Sequence, residues 1–128
     1  MGFSRLPTDF YEAIGKLFYA VAMADRSFMK DEKKEIVNLV AEHWSEKLFY
    51  KDADELVYQS IRASIAEEQK SQEAFSIFKA YYLLNGLLFT KEIKKVLLED
   101  TNAIGSSYSK RNKSESAMYA QLYLLFTK

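Results

Sequence analysis

The only proline of the chain is Pro7, and no other feature narrows the possible folds as much. Proline removes a backbone donor and breaks a helix from within, so every segment beyond residue 7 is free to be helical. Glycine, the second helix breaker, occurs four times, at positions 2, 15, 86 and 105. Apolar residues recur at helical spacing in six segments, and no segment sustains period-two alternation. The first stripe is Phe10, Ile14, Leu17, Phe18 and Val21, with Asp9 and Glu12 as a capping pair at its start. The second runs from about Asp31 into the early forties and carries Ile36, Leu39, Val40, His43 and Trp44. The third starts near Asp52, which has capping-box spacing to Glu55, and carries Val57, Ile61, Ser64 and Ile65.

Ser71 is placed to cap a fourth helix with Ala74, Ile77, Phe78, Tyr81 and Tyr82, closed at Asn85-Gly86 by a left-handed glycine. Thr90 is placed to cap a fifth, with Ile93, Val96, Leu97, Thr101 and Ile104. Asn112 and Glu115 cap a sixth, with Met118, Leu122, Leu125 and Phe126. The expectation is an all-α fold: residues 1–128 as one domain, a single compact bundle of six or seven helices.

Charge and composition narrow the chemistry. Eighteen Lys and Arg balance eighteen Asp and Glu, which argues against nucleic acid as a main partner because that needs a basic face. There is no cysteine and one histidine, so disulfides, thiolate metal sites and multi-histidine zinc sites are excluded. The N-terminus lacks the apolar stretch of a signal peptide. Leu6 stands where an acylation signal wants Ser or Thr. No apolar run approaches the roughly 18 residues of a membrane span. The expectation is a soluble cytoplasmic protein.

No nucleophile–base pair stands out. His43 lies on an apolar stripe beside Trp44 and reads as a half-buried structural residue. Glu67-Glu68, Glu99-Asp100 and the group Asp52, Asp54 and Glu55 read as solvated carboxylates, with nothing to raise a pKa toward catalytic values. The serine- and lysine-rich stretch Ser106–Ser116 reads as a solvated connection between helices. The expectation is therefore a chain that is not an enzyme. Of the nineteen aromatic residues, the phenylalanines read as core. Tyr11 and Tyr19 fall off the main stripe of the first helix and Tyr58 off that of the third. Aligned, they form a possible interface for a peptide, a partner helix or a second copy.

The segment Leu17–Val40, LFYAVAMADRSFMKDEKKEIVNLV, carries a resemblance. A small-residue helix ends in Ala24-Asp25, Phe28 follows, and Glu32 opens an amphipathic helix. This resembles the helix–loop–helix signature of the tellurite-resistance TerB-like family, with Ala24, Asp25, Phe28 and Glu32 as the matching residues. Arg26 stands where that family usually has glycine. The resemblance implies a compact helical domain with a stress-associated accessory role, linked in the wider family to tellurite or other chemical stress and to membrane-associated assemblies. It also implies two acidic loops that together supply carboxylates for a divalent cation.

A shift of 80 residues aligns Leu17 with Leu97 and Glu35 with Glu115, giving two helix–loop–helix halves. The second is degenerate, because Asp25 aligns with Gly105 and Glu32 with Asn112. Asp25, Asp31, Glu32 and Glu35 are interleaved with Lys30, Lys33 and Lys34. A hard cation wants about six to eight oxygens. Asp25 and Glu32 are therefore expected to hold the loop by accepting backbone amides, with no cofactor beyond a weakly held divalent cation. The functional expectation is a non-enzymatic TerB-like module acting through a protein partner or self-association. The alternative is a divalent-metal-responsive module built on Asp25–Glu35.

Overall fold

The structure, a computed structural model, describes residues 7–23, 53–105 and 113–127. Among them every regular element is helical: α1 (Thr8–Ala22), α2 (Ala53–Ala66), α3 (Ser71–Leu84), a 3-10 turn (Gly86–Leu88), α4 (Lys91–Gly105) and α5 (Lys113–Thr127). These are five of the six helices expected from the stripes. The other, over residues 31–44, lies outside the described residues, as do Ala24, Asp25, Phe28, Asp31, Glu32, Glu35 and His43. Of the two proposed halves, Leu17 on α1 and its counterpart Leu97 on α4 are both buried.

α1 is the centre of the bundle and packs against α2, α3, α4 and α5. Its sequence explains why. Phe10, Tyr11, Ala13, Ile14, Leu17, Phe18, Tyr19, Ala20 and Val21 are all buried, and together they cover nearly the full circumference. A helix that is apolar all round belongs inside. Thr8, Asp9 and Glu12 are exposed and Lys16 is half-buried, so beyond the first turn a narrow polar line through Glu12 and Lys16 is what reaches water among the described side chains. This corrects the reading of Tyr11 and Tyr19 as interface residues: both are core. A stripe analysis assumes one wet side, and α1 has almost none. Tyr58 on α2 is half-buried and packs against the core.

The helix ends follow local chemistry, with three departures from expectation. Thr90 does cap α4, its Oγ1 accepting from the Ile93 amide at 3.2 Å. Pro7, not Asp9, precedes α1, and Asp9 lies in the first turn, where it favours the positive end of the helix dipole. Ser71 is the first residue of α3 and not its cap. Its hydroxyl donates to the Ala20 carbonyl at 2.8 Å and so ties α3 to α1. α3 does end at Asn85, but Gly86 is not left-handed. The Asn85 amide and its Nδ2 both donate to the Tyr81 carbonyl, and the chain runs on into the 3-10 turn. Among the described residues the left-handed one is Glu68, with φ 51°. It closes α2 as a Schellman motif, with Glu68 N donating to Ile65 O and Gln69 N to Ser64 O, each at 3.1 Å.

α1 and α2 touch backbone to backbone at Gly15. A Cβ there would lie 2.5 Å from Ser60 Cβ and 2.9 Å from the Val57 carbonyl oxygen. The Ser60 hydroxyl donates to the Glu12 carbonyl at 2.7 Å across the same seam. Gly15→Ala should raise helix propensity by about 1 kcal/mol yet lower stability by about 1–3 kcal/mol through overpacking, read as a lower urea midpoint. Glu68→Gly should do the reverse. Relief of a left-handed residue, about 1–2 kcal/mol, outweighs the extra unfolded-state entropy of glycine, about 0.5–1 kcal/mol, so the midpoint should rise.

Candidate functional site

Two regions gather polar or reactive groups. The first is a buried junction where α1 meets the α2–α3 turn. The Lys16 ammonium donates to Ser64 Oγ at 2.9 Å and to Gln69 Oε1 at 2.8 Å. Ser64 Oγ donates to the same Gln69 oxygen at 3.0 Å. The Tyr19 hydroxyl donates to the Gln69 carbonyl at 2.7 Å. Every donor named here ends on an acceptor of the chain, so the junction works as a clamp holding the turn to the core. Burial, and then the Glu68 carboxylate, push the Tyr19 phenol above its ordinary 10.0.

The second region is the opposite in character. The amino ends of α1 and α4 meet the carboxyl ends of α3 and α5 at one end of the bundle. Phe89 is the hub. Its ring centroid lies 5.0 Å from those of Phe10 and Tyr82, 5.9 Å from Phe78 and 6.4 Å from Phe126. Because Phe89 is drawn inward, the 3-10 turn before it is pushed outward. Leu83 is 64%, Leu84 84% and Leu87 100% exposed. Ile77, seven residues before Leu84 and so on the same helical face, is exposed as well. So are Tyr123 and Leu124 near the end of α5. A Cβ added at Gly86 would meet nothing within 4 Å, while Leu88 of the same turn packs against the core.

Lysines border this end. Lys94 donates to the Phe126 carbonyl at 3.3 Å, with its ammonium 5.7 Å from the Tyr82 ring centroid. Lys91, Lys94 and Lys95, with Leu98, Tyr119 and Phe126, line an open cleft of about 360 Å³ between α4 and α5. Burial, and then the Asp9 carboxylate, raise the Tyr81 phenol above its ordinary 10.0.

The acidic loop residues and His43 lie outside the described residues. Glu67, Glu68 and Glu99 are exposed, as expected, but Asp100 is fully buried in α4. Among the described residues no group of three or more histidines, cysteines or carboxylates is placed to hold a metal ion, and no helix is long and apolar enough to cross a membrane. Reading along the chain missed the exposed end. Its signal was present as Tyr81-Tyr82-Leu83-Leu84 and Leu87-Leu88-Phe89, too many consecutive apolar residues for one buried stripe.

The junction gives a pH-dependent prediction. Below pH 10 both folded and unfolded chains keep the Tyr19 phenol protonated, and its stabilisation is whole. Above that the unfolded chain releases the proton first, so stability falls as pH rises through the raised native value. Tyr19→Phe should cost about 1–2 kcal/mol at neutral pH by leaving the Gln69 carbonyl without that donor, and should flatten the alkaline decline in melting temperature. No family model matches the chain, and no curated protein or solved structure matches it.

Proposed function

We propose that the chain is a non-catalytic attachment module of the TerB-like kind, a stress-associated accessory domain that works by holding on to another surface. The observation that supports this is the exposure of Leu83, Leu84 and Leu87 at the end organised by Phe89. Leucines standing in water add nothing to the core. Each offers about 1.5–3 kcal/mol when it is buried against something else. Contiguous exposed apolar residues of this kind mark interaction sites. The surface expected from Tyr11, Tyr19 and Tyr58 is replaced by this one, because Tyr11 and Tyr19 are core. The metal-responsive reading rests on Asp25, Asp31, Glu32 and Glu35, and no observation favours it over attachment.

The double variant Leu84→Ser/Leu87→Ser removes no core residue, so its unfolding free energy should stay within about 0.5 kcal/mol of wild type. Fractionated from its native host, the wild-type chain should divide between a free monomer pool and larger or particulate fractions, and the variant should collect in the monomer pool. An identical distribution of the two would overturn the reading.

A further inference from the structure

We propose that the partner held by this end is a second copy of the chain, seated antiparallel along α3. The proposal rests on the attachment reading and names its partner. The apolar surface is longer than the turn. Ile77, Ala80 and Leu84 are exposed at i, i+3 and i+7 of α3, and Leu87 carries the line on into the 3-10 turn. This is the spacing by which one helix seats against another. Phe75 and Phe78 of the same helix are buried, on the side that packs against α1. α3 therefore has two apolar sides, and this one faces water.

Size argues for a protein surface. Ile77, Leu83, Leu84 and Leu87 are 42%, 64%, 84% and 100% exposed. That amounts to about three whole leucines, or roughly 300 Å² at about 100 Å² each. A stable interface takes about 800 Å² from each partner, a little over half of it apolar. The stripe supplies most of that apolar part.

What selects a second copy is how the stripe reads in reverse. A two-fold axis sets one patch against itself, so each residue must suit what comes from the other end. With the axis crossing α3 level with Tyr82, Leu84 falls opposite the small Ala80 of the other copy, and Ile77 falls toward its Leu87. Glu73, one turn before Ile77 on the same face, is brought toward the other copy's Lys91, the first charged residue after Leu87. Both are exposed. Large thus meets small and acid meets base, whereas a parallel arrangement sets Glu73 on Glu73. The remaining charges do not oppose the approach. Lys91, Lys94 and Lys95 are balanced at this end by Asp9, Glu92 and Glu99, so two copies meet without net repulsion.

The test is sedimentation equilibrium of the full chain from micromolar to millimolar concentration. Wild type should pass from 14.9 kDa toward twice that mass. Leu84→Ser/Leu87→Ser should raise the dissociation constant at least about a hundredfold, because each copy loses two buried leucines. Glu73→Lys and Lys91→Glu should each raise it about three- to tenfold, and the two together in one chain should return it close to the wild-type value. Helical circular dichroism and cooperative melting, retained in every variant, establish that folding is intact.

Wild type that stays at 14.9 kDa throughout overturns the second copy, and so does a dimer that Leu84→Ser/Leu87→Ser leaves intact. A double charge exchange that binds no tighter than either single change overturns the antiparallel seating. The attachment reading fails separately. If wild type is monomeric yet distributes in its host differently from Leu84→Ser/Leu87→Ser, attachment stands with another partner. If the two distribute alike, both readings fall.

Discussion

The rest of the structure depends on one close approach, that of α1 to α2 at Gly15. Only a residue without a Cβ lets the Val57 carbonyl and Ser60 come so near. The short separation allows Ser60 to reach the Glu12 carbonyl and puts Ser64 within reach of Lys16. From there the consequences spread outward. With α2 seated against one side of α1, the Schellman turn at Glu68 delivers Gln69 to the Tyr19 hydroxyl, and Ser71 to the Ala20 carbonyl. α3 is thereby set on a second side of α1, and α4 and α5 also pack against it.

The two regions of interest differ because of what each does with its exposed groups. At the α1–α2 junction, polar atoms enter the core only with partners, which removes the penalty that a bare buried donor or acceptor would carry. At the α3–α4 turn, apolar atoms leave the core without partners. Phe89 links the two behaviours. Its contacts with Phe10, Phe78, Tyr82 and Phe126 anchor the end of the turn to the core, so the leucines project beside an aromatic cluster. A site built on firm elements keeps its shape for a partner.

Legibility along the chain varied by residue. The helices of α1, α3, α4 and α5 were readable from their stripes, since Ile14, Leu17, Phe78, Ile93, Leu97 and Leu122 are all buried as expected. The weaker line of Val57 and Ile61 also marked a true helix. Errors came where the surroundings overrode local pattern. α3 turns Phe75 inward and Ile77 outward, a rotation its own sequence does not specify. Asp100 is buried beside Thr101 although its neighbour Glu99 is exposed. Asn85-Gly86 marked the right boundary through a different device, because the Asn85 amide and side chain both donate to the Tyr81 carbonyl and glycine needs no positive φ there.

Proline and glycine placement, together with the spacing of apolar residues, dictates helices and their approximate limits, because backbone freedom and a 3.6-residue period act within a few residues of each position. Which sides of those helices are wet is another matter. Tyr11 and Tyr19 became core because four other helices surround α1. Leu84 and Leu87 became surface because Phe89 took the interior place beside them. Burial depends on what stands opposite, and the described helices opposite α1 begin some 30 residues further along the chain.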